Sequence, residues 1–380
     1  MRTVVFLVFS IAFSMADLDF NSKTRNFSVE LLYHALQDVN EDVNVVLSPY
    51  VIWSLLASVA YETLGATREQ VSKVFLLTED RSEFVEQFEN LQTTVLVNEE
   101  GVNVTSHNYL YYDEDLHLHS DSISRLEGDF SFITRNFSFK KAKEALSPFQ
   151  SRNMKQCGTA RMFIIKFTDF TDASMIMYNC LMFKAKWLKP FKKSEDKLKV
   201  RLRSSNFESL HASISELPYE GGKHCMLLIR PHSGYDLKQV SRKLREESLR
   251  KILSKIHREA YEFGLKEVEL PEGEIKSHVI LNKSLMNMGL SDVFDQNSSN
   301  FDELAEDKMY IDEIAQRVYV TFEQYEMRAD AITPSFELAK PPQLRRIVVE
   351  DPFIFLIMET TTGTILFGGS YSTKDTYLMG

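Results

Sequence analysis

The chain has 380 residues, 44% of them hydrophobic and 26% charged, with a formal charge of −10. That length allows one large core or two domains, and the scarcity of glycine and proline excludes collagen-like and low-complexity chains. An acidic balance argues against nucleic-acid binding, which needs a basic surface to neutralise phosphate.

The chain opens with Arg2, an apolar run from Val4 to Phe13, and Ser14-Met15-Ala16. A short apolar run followed by small residues is the pattern of a secretory signal peptide. The run is too short to span a bilayer core of about 30 Å, and it has no polar face for an amphipathic first helix. The expected domains are therefore a signal peptide over 1–16 and a secreted chain over 17–380, with no membrane anchor. Asn26, Asn103, Asn136, Asn282 and Asn297 each begin an N-x-S/T glycosylation signal, which fits an extracellular protein. Three cysteines, Cys157, Cys180 and Cys225, are too few for a disulfide scaffold. They read as small buried or part-buried residues; one disulfide plus a free thiol is the other arrangement the count allows.

A helix is expected from Ser28 as cap, with Val29, Leu32, Ala35 and Leu36 on one face. Val45 to Leu47 read as a short buried strand. Ser48-Pro49 then supplies a hydroxyl cap and a proline where a missing N–H does no harm. The helix that follows, Val51 to Tyr61, is apolar on nearly every side and so belongs inside the core. Further along, Met175 to Trp187 reads as a long strand. Ser215 to Pro231 reads as two strands about Gly221-Gly222, Lys266 to Pro271 as another strand, and Ile280 to Phe294 as a helix ending in a glycine turn. Val318 to Phe322 and the segment from Asp351 to Gly369, turning at Gly363, complete the strands. Between them lie about twenty residues without helical period, where structureless loops beyond about 12–15 residues are uncommon and usually functional or disordered. With no linker and no 20–50-residue repeat, one large mixed α and β unit fits best.

No nucleophile elbow, zinc helix, phosphate loop or dinucleotide fingerprint occurs, so the chain is not expected to be an enzyme, and no metal or cofactor is implied. His117 and His119 near Asp113, Glu114 and Asp115 read as solvated loop charges rather than a metal cluster. Nine basic residues between Lys184 and Arg203 read as a solvated face before a polyanion patch.

Several stretches, in order and over nearly all of the chain, resemble the serpin family. Asn179, Phe183, Lys184, Trp187 and Phe191 resemble its N-x3-F-K-x-x-W-x-x-x-F strand, and Asn44, Ser48 and Pro49 its N-x3-S-P helix start. Leu217-Pro218-Tyr219 with Met226 to Pro231 resembles its L-P-Y hairpin. Met288-Gly289-Leu290 followed by Phe294 and Phe301, then Pro352-Phe353, then Ile365 to Gly368, resemble its later signatures. The pattern is similar to secreted insect serpins of the accessory-gland type. The resemblance implies an α+β serpin fold: large mixed β-sheets, about eight or nine helices, and an exposed reactive-centre loop. It implies a monomeric suicide substrate that traps a serine protease as the cleaved loop enters the central sheet. By position the loop spans about 324–346. The bait bond falls at Lys340-Pro341, and a lysine there suits a trypsin-like pocket. Arg345-Arg346 is a second basic pair, too near the following strand.

The hinge positions Gln324, Glu326, Met327, Ala329 and Ala331 depart from the family pattern, because Glu326 stands where glycine's freedom is usual. Pro334 removes a ladder donor from any inserted strand. Against this, alternation would place Met327, Ala329, Ala331, Thr333 and Ser335 inward and both Arg328 and Asp330 outward, as insertion requires. Two readings stay open: a covalent trap, or a serpin-fold binding or carrier protein or protease substrate without trapping. The acidic stretch Thr78 to Asn90 argues against heparin control there.

Overall fold

The computed structural model describes residues 15–40, 43–141, 144, 170, 173–194, 197–263, 265–271, 273–323, 325–332 and 346–375. The chain begins with α1 (Met15–Asp38), then β1 (Val45–Leu47), α2 (Pro49–Ala60), α3 (Gly65–Phe75) and α4 (Arg81–Val95). Next come β2 (Val102–Tyr112), α5 (Ser120–Phe130), β3 (Phe132–Asn136) and β4 (Met175–Lys186). β5 (Lys192–Ser194), β6 (Lys197–Phe207), β7 (Ala212–Pro218) and β8 (His224–Pro231) follow, with α6 (Leu237–Leu244) and α7 (Leu249–Phe263) after them. The chain continues through β9 (Lys266–Pro271), β10 (Gly273–Ile280), α8 (Asn282–Asn287), β11 (Ala315–Phe322), β12 (Glu326–Ile332), β13 (Arg346–Glu359) and β14 (Ile365–Asp375).

Two sheets organise these strands. One runs β1-β14-β13-β8-β7-β6-β5, with β9 also paired to β6; the other runs β10-β11-β12-β4-β2-β3. Every pairing is antiparallel except β2 with β3.

The core centres on α2, buried on all sides as its composition predicts. Ser48 Oγ accepts from the Val51 amide and Pro49 opens the helix, as expected. The Ser48 amide donates to Gln316 Oε1 at 2.6 Å, so β11 fixes where the helix begins. Gly369 lets β14 run close alongside β1: a Cβ on it would lie 2.3 Å from the Val45 carbonyl oxygen.

The helix expected ahead of a glycine turn within Ile280 to Phe294 is α8, and Gly289 at φ 106° makes the turn, with Asp292–Phe294 a 3-10 turn beyond it. Three expectations change. Ser28 is no cap: it lies inside α1, donating to the Thr24 carbonyl, because buried Phe20 and Thr24 continue the helical face backwards. The cysteines are not all free: Cys180 is disulfide-bonded, its partner lying outside the described residues, while Cys225 is free and buried. The long run after β11 is not structureless throughout, because its first part forms β12.

Candidate functional site: the strand between β4 and β11

β12 is a central strand. It pairs from Phe322↔Met327 to Arg317↔Ile332 on the β11 side, and from Glu326↔Lys186 to Ile332↔Cys180 on the β4 side. Met327, Ala329 and Ala331 alternate with Arg328 and Asp330, as insertion requires. That stripe is made of small residues, so the strand geometry is fixed by two neighbours that each offer a ladder edge.

The turn into β12 is held from β4. Glu323 N–H donates to the Glu326 carbonyl at 3.0 Å, closing the hairpin. The Trp187 amide donates to the Tyr325 carbonyl at 3.0 Å, and the indole Nε1–H donates to the Glu323 carbonyl at 3.0 Å. Trp187 stacks on Tyr219 with centroids 4.7 Å apart, and a bridge between these two residues ties the large sheet to the end of β4. Glu326 lies 3.2 Å from Lys184 Nζ. Met327 is fully buried, as its inward phase predicts, and Tyr219 Oη donates to its Sδ at 3.1 Å. Burial drives the Tyr219 phenol well above its ordinary range.

Lower in the sheet, Asn179 is buried and its Nδ2 donates to Asn108 Oδ1 at 2.6 Å and Ser106 Oγ at 2.7 Å. Asn108 in turn donates to the Phe130 carbonyl, tying β2 and β4 to the end of α5. Among the described residues Asn179 Oδ1 has no hydrogen-bond partner. The sequence singled out Asn179, through the serpin-like segment it begins, but not Asn108 or Ser106.

The other expected positions are spread through the fold. Asn44 Oδ1 accepts from the Ser372 amide at 2.7 Å and so anchors β14 beside β1. Phe353 is buried, stacked on Tyr371 at 5.2 Å. Ala329 and Ala331 are β12 positions opposite Phe183 and Leu181. Gln324, Lys340 and Pro341 lie outside the described residues. Arg346 opens β13 opposite Asp375. Among the glycosylation signals, Asn26, Asn103, Asn136 and Asn297 are exposed. Asn282 is engaged: Nδ2 donates to the Asp312 carbonyl and Oδ1 accepts from the Ile314 amide, both at 2.7 Å.

The basic run reads differently in register. Arg201 faces Glu267 and Arg203 faces Glu216, and cross-strand partners share a face. Arg203 Nη1 is 3.2 Å from Glu216, which also meets His257 at 2.8 Å. These two cations of β6 are thus met by carboxylates on its neighbours. His117 likewise meets Asp307 at 3.4 Å, and no cluster with metal-ligand geometry occurs among the described residues.

The family model described as "Serpin (serine protease inhibitor)" matches residues 22–373. Leukocyte elastase inhibitor A of Rattus norvegicus is 24% identical, with 90% of this chain and 96% of that protein covered. Among solved structures, cleaved Serpin 42Da is similar with TM-score 0.77 and 19% identity, covering 96% of this chain and 99% of that one. Tengpin, a thermophilic serpin in the latent state, is similar with TM-score 0.75 and 16% identity, covering 95% and 98%. With the family model matched across nearly its whole length and both sheets in the serpin arrangement, this chain belongs to the serpin family.

Proposed function

We propose that the protein is a secreted, monomeric inhibitor of a trypsin-like serine protease, acting as a suicide substrate with its bait at Lys340-Pro341 in a loop spanning about 324–346. The observation that carries this reading is β12. β12, the first part of the segment between β11 and the bait, pairs on both sides within the central sheet, which is the receiving geometry a trap requires. Asn179 supports deeper entry. Continuing the register past Ile332↔Cys180 would set Thr333 opposite Asn179, whose Oδ1 is an unsatisfied buried acceptor. Secretion after removal of residues 1–16, an origin like that of insect accessory-gland serpins, and carbohydrate on the exposed sequons belong to the same reading. The leader pattern and the number of sequons support it.

A second reading has its own observation. β12 is seated in an uncut chain, pinned by Trp187 and by the Lys184–Glu326 pair. A slot already filled leaves less insertion free energy for trapping, which favours a serpin-fold binding or carrier protein, or a plain protease substrate. The deciding experiment is incubation of the purified secreted protein with trypsin and related proteases, followed by denaturing gels and thermal melts. The inhibitor reading expects a band at the summed mass with cleavage after Lys340. Loop cleavage with no such band refutes it and leaves the second reading.

A further inference from the structure

β12 begins with a thioether in a closed apolar site. Met327 has no exposed surface. Its backbone lies between Phe322 of β11 and Ala185 of β4, both fully buried. The hydroxyl of buried Tyr219 lies 3.1 Å from its Sδ. Tyr219 cannot retreat easily, because its ring is stacked on Trp187 at 4.7 Å and edge-on to Phe183 at 5.2 Å.

We propose that Met327 is a peroxide-sensitive modification site, and that its oxidation, possible only while β12 is out of the sheet, keeps the hinge from entering. In the reaction the thioether sulfur attacks one oxygen of a hydroperoxide. The O–O bond breaks and an S–O bond forms; the sulfur loses two electrons, and the peroxide leaves as water or an alcohol. The product is polar and larger. On the Tyr219 side the separation from Sδ is already a hydrogen-bond distance, so no oxygen fits between them. Beside Phe322 and Ala185 the oxygen would meet no side-chain donor. The sulfoxide therefore binds its own site worse than the thioether does, while water solvates the more polar sulfoxide better. A modification with that preference shifts the population toward the expelled hinge. In the inserted state the sulfur is sealed, so oxidation must wait for local opening. The inference rests on β12 being a segment that enters and leaves the sheet; it does not depend on protease trapping.

The test treats the full-length protein with hydrogen peroxide, once in native buffer and once in urea, followed by quenching and refolding. Peptide mass spectrometry follows sulfoxide at Met327 and at half-exposed Met286, and brief trypsin digestion reads cleavage after Arg328, which β12 pairing protects. In native buffer Met327 should oxidise at least about tenfold more slowly than Met286. After oxidation in urea and refolding, cleavage after Arg328 should become fast in wild type and stay slow in Met327→Leu treated identically. Met327→Gln, polar and of similar size to the sulfoxide, should show the fast cleavage without peroxide. Equal oxidation of Met327 and Met286 in native buffer overturns the proposal. So does a wild type that, once oxidised, resists trypsin as well as Met327→Leu does, or a resistant Met327→Gln. A missing protease complex in the gel experiment leaves all of these readouts unchanged, so the two failures are separable.

Discussion

Replacing Trp187 by Phe should loosen β12 selectively. The indole is 2% exposed, and its Nε1–H is the donor that holds the Glu323 carbonyl at the turn into β12. Phenylalanine removes that bond, a net loss of about 1 kcal/mol. It also reduces the overlap with Tyr219, whose stacked geometry is worth about 0.5–1.5 kcal/mol beyond burial. The bond from the Trp187 amide to the Tyr325 carbonyl is backbone and survives. The sum is about 2 kcal/mol, and it falls on the inserted hinge because the lost donor serves only that turn. Native-state amide exchange is the assay. The amides of Met327 to Ala331 should exchange about 30-fold faster, while those of the β13–β14 pair keep their rates. If the β13–β14 amides accelerate by the same factor, Trp187 supports the whole core and the reasoning about the hinge is wrong.

Other expectations are more local. Glu62 is buried, held by Arg125 Nε at 2.9 Å and Ser122 Oγ at 2.8 Å, so Arg125→Met should destabilise by about 3 kcal/mol in urea unfolding, the low end for a broken pair because Arg125 is 32% exposed. Adding Glu62→Gln should recover most of that loss; a double variant no better than the single would refute the pairing argument. His224 is buried, and burial lowers its pKa against the opposing pull of the Val95 carbonyl, Glu359 and Glu99. The unfolded chain takes up a proton near pH 6.5 that the folded chain refuses, so stability should fall as pH drops below about 6.5. His224→Leu should flatten that fall between pH 7.5 and 5.5, without abolishing it because burial also lowers His34 and His107. Identical pH slopes for the two proteins would exclude His224 as a source. Gly369→Ala should destabilise by about 1–3 kcal/mol, or prevent folding, because its Cβ would meet the Val45 carbonyl and the Val46 Cα of the neighbouring strand β1. A thermal melt unchanged from wild type would mean that β1 shifts without penalty.

How much of this the sequence disclosed follows the range of the forces involved. The cap at Ser48, the buried run of α2, the β7–β8 pair and the Gly363 turn, at φ 76°, are written in neighbouring residues and emerged as expected. The inward phase of Met327 was also readable, since it is the one that sets Arg328 and Asp330 outward. That β12 is already seated in the sheet was not readable, because its alternation of small and charged residues only permits insertion, and its hydrogen bonds belong to β4 and β11. Gln316 escaped for a similar reason: nothing in AQRVYVTF says that one glutamine reaches the start of α2. The matching of Arg201 and Arg203 by carboxylates needed the strand register, which no local pattern supplies. The Cys180 disulfide was one of two arrangements that three cysteines allowed, and spacing alone does not choose between them.

The pairing of β1 with β14 has a consequence for how the chain is made. Val45 lies opposite Ser370, and its amide also meets the Ser370 hydroxyl across a separation of 325 residues. On the ribosome, β1 has no strand to pair with until β14 has been synthesised, although the Val46 amide already finds the Ser277 hydroxyl earlier. During that interval α2 is an all-round apolar helix with its covering strands still missing. Loop closure over such a span is slow, and exposed apolar surface on a nascent chain invites association with other chains. Completion of this fold thus waits for β14, and truncations that remove β14 should yield aggregates rather than smaller folded pieces.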